Sequence, residues 1–223
     1  MRWLLLFGLW LAYFSFGAII ASIAPLVGPI QADLALSYSA MGSIMGAWQL
    51  VYIGAAIPAG MLLDRLGGRF ALFIGISLIA ASAVGRAFAT DYWTLLGSVM
   101  LFGMGGPIIS SGAPKTVTDI FTGSDRGLAM GIYMTGPTLG GVAALTLTHS
   151  LLMPAFDDDW RAVLLMWGAL AALATVTWVV LATVAGPRTP GFLRSDDGTA
   201  SPGGLSEVGR ILRLPTVRLV LAM

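Results

Sequence analysis

Trp48, Gln49 and Tyr52 set two aromatic rings and one carboxamide close together in the chain. On a helix, residues four apart share a face, as Trp48 and Tyr52 do, and Gln49 stands three before Tyr52. One surface would then offer π-faces and hydrogen bonds to a small polar solute. Tyr13, Ser110, Ser111, Tyr133 and Thr138 add hydroxyls deep within apolar stretches. Arg86, Lys115 and His149 are the ionisable groups placed furthest into such stretches. These residues suit binding, not bond-breaking. The chain has no cysteine, hence no thiol nucleophile, disulfide or thiolate metal site. It also lacks a G-x-S-x-G turn, and the single histidine lies near the end of its stretch, so no nucleophile and base are paired. The one Lys-Thr pair, Lys115-Thr116, follows Pro114 where a phosphate-binding loop requires glycine. The expectation is a protein that is not an enzyme and carries neither cofactor nor metal.

The elements that must position these groups are set by composition. Of 223 residues, 57% are hydrophobic and 10% charged, against roughly 25% charge in an ordinary soluble domain. The solvent is therefore lipid. A net charge of +1 gives no basic footprint for nucleic acid. A crossing helix needs about 20 apolar residues, and six stretches qualify: 3–30, 38–63, 70–89, 93–114, 127–153 and 162–185. The first is too long for a signal-peptide core, despite Arg2 before it and the small-residue run Ser22-Ile23-Ala24.

Basic residues near span ends stay cytoplasmic. With the N-terminus inside, Arg2, Arg65, Arg69, Lys115, Arg126, Arg188, Arg194, Arg210, Arg213 and Arg218 are cytoplasmic, and only Arg86 and Arg161 lie outside. The outer connections are acidic, with Asp33, Asp91 and Asp157 to Asp159. Residues 186–215 turn to Pro, Gly, Ser and charge and read as a cytoplasmic linker. Residues 216–223 then read as the opening of a seventh span, which makes the chain the N-terminal half of a longer cell-membrane protein.

An internal echo supports a repeat. Gly42-Ser-Ile-Met45-Gly46-Ala-Trp48 recurs as Gly127-Leu-Ala-Met130-Gly131-Ile-Tyr133 at an offset of 85, and Ser22-Ile-Ala-Pro25 as Ser111-Gly-Ala-Pro114 at an offset of 89. An Asp followed by an Arg precedes both the third and the sixth stretch. A repeat unit of three spans must be inserted upside down the second time, which is the inverted three-plus-three arrangement of facilitator-type transporters.

Between the second and third stretches, Gly60-Met-Leu-Leu-Asp64-Arg65-Leu-Gly67-Gly68-Arg69 resembles the G-x-L-a-D-R-x-G-R-[RK] signature of the major facilitator superfamily. The physics suits a two-state latch. Glycines permit a tight turn, Asp64 can face a helix N-terminus, and Arg65 and Arg69 an acidic partner, for which Asp119 is the candidate. The match departs at Gly68, where the family usually has a basic residue. Gly136-Pro137-Thr-Leu-Gly140-Gly141 is similar to the G-P-x-x-G-G element of many antiporters of the superfamily, and reads first as helix packing. The family's usual span-four arginine falls on Val99, which counts against a common proton-coupled drug exporter.

Ala47-Trp48-Gln49-Leu-Val51-Tyr52, Gly85-Arg86-Ala-Phe88-Ala89 and Ala113-Pro114-Lys115 look like the cyanate permease branch, associated with small anions. The arginine of nitrate porters has no counterpart in span two. The resemblance implies an all-α six-helix N-terminal bundle whose first, second, fourth and fifth spans line a central cavity. It also implies alternating-access transport of a small polar or anionic solute, with a coupling proton or ion. A non-transporting sensor or scaffold and a drug or metabolite efflux antiporter are the alternatives. Within that frame Arg86 is expected to snorkel to the interface, Lys115 to serve the positive-inside pattern, and His149 to sit at the interface.

Overall fold

A computed structural model describes residues 1–185. The expected linker over 186–215, the seventh-span opening over 216–223 and the five arginines from Arg188 to Arg218 lie outside the described residues. Among the described residues, all regular structure is helical: α1 Arg2–Ala21, a 3₁₀ turn Ala24–Leu26, α2 Val27–Leu34, α3 Tyr38–Ala87, α4 Tyr92–Ile120, α5 Ser124–Leu147, a π turn Thr148–Leu152, α6 Met153–Ala155 and α7 Trp160–Val184. Five stretches are long and apolar enough to cross a membrane: Arg2–Leu34, Tyr38–Ala87, Tyr92–Ile120, Ser124–Ala155 and Trp160–Val184.

The stretches read as second and third spans, 38–63 and 70–89, share the 50-residue helix α3. It is broken in direction at Gly67, where φ is 72° and ψ 164°. Only glycine takes that backbone region without a Cβ clash, so the chain changes course there without a loop. The two legs, 38–66 and 68–87, each reach the roughly 20 residues that a crossing needs.

Local chemistry fixes the other ends. Ser37 caps α3 by accepting from the Ala40 N–H at 3.1 Å. Asp91 and Thr94 form a reciprocal capping box at the start of α4. The bond from the Thr94 backbone holds the Asp91 carboxyl below the usual carboxylate range. Asp159 caps α7, following a turn in which Asp157 and Asp158 take positive φ. Pro154 has no N–H to return to Ser150. The backbone widens there, with Met153 N–H donating five residues back to the Thr148 carbonyl.

The helices associate in two close pairs. α1 packs on α5, where a methyl group on Gly17 would overlap the Pro137 carbonyl and one on Gly140 the Phe14 carbonyl. α4 packs on both legs of α3, with Gly103 against the Trp48 backbone and Gly105 against Gly75. α7 covers the second leg of α3 at Gly168 and α1 at Gly8. Lipid tails supply no hydrophobic drive between helices, so backbones brought close at small residues provide the contact.

Polar pairs gather at the two ends of the bundle. At one, Arg2 binds Asp125 at 2.6 Å and Lys115 binds Asp64 at 3.2 Å. At the other, Arg161 pairs with Asp33 and donates to the Ala89 carbonyl, and the Ser43 and Tyr92 hydroxyls lie 3.0 Å apart. Since Arg2 and Asp125 both begin their helices, α1 and α5 run in the same direction. α4 and the first leg of α3 likewise run together, joined at their starts by Ser43 and Tyr92 and at their ends by Asp64 and Lys115.

Candidate functional site

Six aromatic rings follow the seam between the two helix pairs. Tyr13 and Phe16 come from α1, Trp48 and Tyr52 from the first leg of α3, Phe102 from α4 and Tyr133 from α5. Tyr133 meets Tyr13 edge to face at 5.2 Å, Tyr13 lies 6.1 Å from Phe16, and Phe16 stacks on Phe102 at 5.2 Å. Phe102 meets Trp48 at 5.8 Å, and Trp48 meets Tyr52 at 6.1 Å. Edge-to-face and offset pairs at these separations are the favourable arrangements of ring quadrupoles. The Tyr52 ring enters because residue 106 is glycine: a Cβ there would stand 2.8 Å from a ring carbon. The buried Tyr13 hydroxyl donates to the Ile109 carbonyl at 3.2 Å, with Ser110, Tyr52 and Tyr133 as its polar neighbours.

The repeat offsets relate these contacts pairwise. Adding 89 to Tyr13 gives Phe102, and adding 85 to Trp48 gives Tyr133, so the Tyr13–Tyr133 pair (interplanar angle 84°) is the image of Phe102–Trp48 (87°). Gly17 against Pro137 maps in the same way onto Gly106 against Tyr52. Sequence echoes thus recur as equivalent packing in the two halves of the bundle, as an inverted three-helix repeat requires.

Arg86 departs from the sequence expectation. Instead of snorkelling outward it is buried, with 2% of its surface exposed. Its Nη1 donates to the Ile19 carbonyl at 2.9 Å, and the guanidinium carbon lies 5.3 Å from the Phe102 ring centre. The reason is the break after Ala21. Ile19 lies in the last turn of α1, and its carbonyl accepts from both the Ser22 hydroxyl, at 2.9 Å, and the guanidinium. Nε has no hydrogen-bond partner. Together with Ile20, Ile23, Met45, Trp48, Val99 and Phe102, Arg86 lines a recess in the bundle. Val99, where the resemblance places the family's span-four arginine, is a wall of that recess.

The remaining expected site residues divide by exposure. Trp48, Tyr52 and Ser110 are half-buried, while Tyr13 and Tyr133 are buried. Gln49 turns away from the ring pair and is exposed beside Leu50 and Ile53; Ser111 and Thr138 are exposed as well. One residue along a helix, a rotation of about 100°, separates the carboxamide from Trp48. His149 is exposed near the end of the fifth stretch, its Nε2 2.7 Å from the Pro25 carbonyl.

At the latch motif, Asp64 pairs with Lys115, a partner that the sequence reading assigned only to the positive-inside pattern. Arg65 and Asp119 are exposed at that end, as is Asp64, and Gly60 is half-buried. Arg69 lies over the Phe70 ring, and its carbonyl accepts from the Trp178 indole at 3.1 Å. The departure at Gly68 has a steric counterpart: a Cβ there would stand 2.7 Å from the Thr116 hydroxyl. Sequence reasoning missed Phe16, Phe102 and the Ile19 carbonyl. The offset of 89 applied to Tyr13 points to Phe102; nothing comparable points to Phe16 or Ile19.

Residues 9–223 match the family described as Major Facilitator Superfamily. Over 158 residues the chain is 26% identical to the D-galactonate transporter of Escherichia coli O6:H1, covering 71% of this chain and 36% of that protein. Over 165 residues it is 30% identical to the arabinose-proton symporter of Escherichia coli K12, covering 73% and 32%. The chain thus spans about a third of the length of the curated relatives it matches. A bacterial homologue of the human lysosomal transporter Spinster, solved inward-facing and unoccupied, superposes with a TM-score of 0.70 over 80% of this chain and 42% of that one. At 23% identity that likeness shows the fold alone. With the family match over nearly its whole length and helices long and apolar enough to span lipid, the chain belongs to the Major Facilitator Superfamily, as part of a multi-pass membrane protein.

Proposed function

We propose that the full-length protein is a secondary active transporter that moves a small polar or anionic solute by alternating access, driven by a coupling proton or ion. The observation that carries this reading is the ring-lined seam with buried Arg86 beside it, a polar and aromatic interior inside an apolar bundle. Charge within a membrane bundle is costly and marks function by default. The two relatives named above, a D-galactonate transporter and an arabinose-proton symporter, support small polar solutes and a proton as partner. The segments similar to the cyanate permease branch support an anion. A carboxylate-bearing sugar acid and cyanate share that charge.

In this reading the chain crosses the cell membrane six times, counting the two legs of α3 separately, with its N-terminus cytoplasmic. Gln49, Ser111 and Thr138 belong to the cavity face, since lipid offers no partner for an exposed carboxamide or hydroxyl. Asp64, Lys115, Gly67 and their neighbours form the latch. The test is solute flux into vesicles containing the full-length protein. Saturable uptake that responds to an imposed proton or ion gradient is expected, and a protein that moves no small polar solute under any gradient is not a transporter. A cysteine replacing Asp158 should react with a membrane-impermeant maleimide from outside intact cells. Reaction from the cytoplasmic side alone would invert the topology.

A further inference from the structure

We infer that Arg86 binds the carboxylate of the transported solute, the guanidinium being the anion-holding group of the recess between α1, α3 and α4. The inference rests on the transporter reading and narrows it to carboxylates. Three observations point the same way. First, Arg86 is a buried cation, and among the described residues no carboxylate pairs with it: the three ion pairs there are Arg2–Asp125, Lys115–Asp64 and Arg161–Asp33. Second, its protein contacts leave donors over. A guanidinium carries five N–H groups in a planar fork, and here one is directed at the Ile19 carbonyl while Nε donates to nothing. A carbonyl dipole and the face of Phe102 neutralise only part of a full charge. Third, Arg86 lines an existing recess whose other walls are the aliphatic side chains of Ile20, Ile23, Met45 and Val99 and the rings of Trp48 and Phe102.

Carboxylate is the group that completes this arrangement. Its two oxygens match two parallel N–H donors of one guanidinium, a geometry that a neutral hydroxyl does not offer. Apolar walls exclude water and lower the local dielectric, which strengthens the pair once formed. They also supply no competing acceptor, so an uncharged polyol entering the recess would lose its hydration without recovering it. The rings of Trp48 and Phe102 can lie against the body of a solute whose charged end is held by Arg86. Met45, 38% exposed, stands at the rim.

The experiment uses the full-length protein reconstituted in liposomes. Initial uptake of two carboxylates, D-galactonate and pyruvate, is compared with that of uncharged D-galactose and L-arabinose. Wild type, Arg86→Lys, Arg86→Gln and Met45→Glu are measured, with the melting temperature of each in detergent. Saturable uptake of at least one carboxylate is expected, with KM raised at least about tenfold by Arg86→Gln and less by Arg86→Lys, which keeps the charge but loses the fork. Met45→Glu places a competing carboxylate in the same recess. It should raise the carboxylate KM by a similar factor while melting no lower than wild type, so it decides the matter even if Arg86→Gln does not fold. Carboxylate KM values within about twofold of wild type in a folded Arg86→Gln or in Met45→Glu would overturn the assignment and leave the transporter reading intact. Uptake confined to the uncharged sugars would do the same. Absence of saturable uptake for all four solutes would also overturn this inference, and the transporter reading would then stand or fall on gradient-driven flux of other small polar or anionic solutes, cyanate among them.

Discussion

The Lys115 ammonium lies 3.2 Å from the Asp64 carboxylate, tying α4 to the turn of α3 that precedes the bend at Gly67. Both side chains are well exposed, at 41% and 75%, and exposed pairs contribute about 0–1 kcal/mol. Such a contact does little for folding, but 1 kcal/mol present in one transport state and absent from another shifts their ratio about fivefold. Asp64→Asn should therefore leave the melting temperature nearly unchanged while moving the protein toward the state that lacks the pair, and the exchanged pair Asp64→Lys with Lys115→Asp should restore part of the distribution. Spin labels on introduced cysteines report the two states, and this chain contributes no thiol of its own to the background. An unaltered distance distribution in Asp64→Asn would remove Asp64 from the latch.

Gly17 is the contact point of α1 with α5, where even a methyl group would overlap the Pro137 carbonyl. Gly17→Val must push the two helices apart, and overpacking of this kind costs about 1–3 kcal/mol or more. A methyl group on Gly46 would meet nothing within 4 Å, so Gly46→Ala serves as the control and should be neutral or slightly stabilising through helix propensity. Thermal unfolding in detergent compares them. Equal melting temperatures for Gly17→Val and wild type would show that close α1–α5 packing does not hold the bundle.

Gln49 is exposed, and no hydrogen bond engages its side chain among the described residues. Gln49→Leu should then alter stability by no more than about 0.5 kcal/mol while raising the KM of the transported solute, because the carboxamide is proposed to meet the solute and not a neighbouring helix. Poor folding with unchanged KM would make Gln49 an inter-helix contact and displace the site toward the rings.

Much of the fold was legible in the sequence. Apolar run length located the helices, and the glycines between Asp64 and Arg69 marked where the chain changes course, at the non-helical backbone of Gly67. The offsets of 85 and 89 held down to individual ring pairs. What the chain order could not convey was azimuth, the direction in which each helix turns its side chains. Periodicity says that Trp48 and Tyr52 share a face, yet only the neighbouring helix decides that the rings turn inward toward Phe102 and Gly106 and that Gln49 does not. Arg86 was misjudged for the same reason. Depth along a helix is readable from the sequence, whereas the Ile19 carbonyl that the guanidinium meets lies at a break in another helix. Lys115 likewise looked like one more inward positive charge until α4 was seen to end beside Asp64.

The packing also has a mechanical side. Within each close helix pair, backbone bears directly on backbone at Gly17, Gly140 and Gly103, contacts that can neither shorten nor slide without collision. Between the pairs, Phe16 stacks on Phe102, the Tyr13 hydroxyl donates to the Ile109 carbonyl and Arg86 donates to the Ile19 carbonyl. Backbone contact thus fastens each pair, and side chains fasten one pair to the other. A solute lodged against those rings would press on the side chains that join the two halves of the bundle.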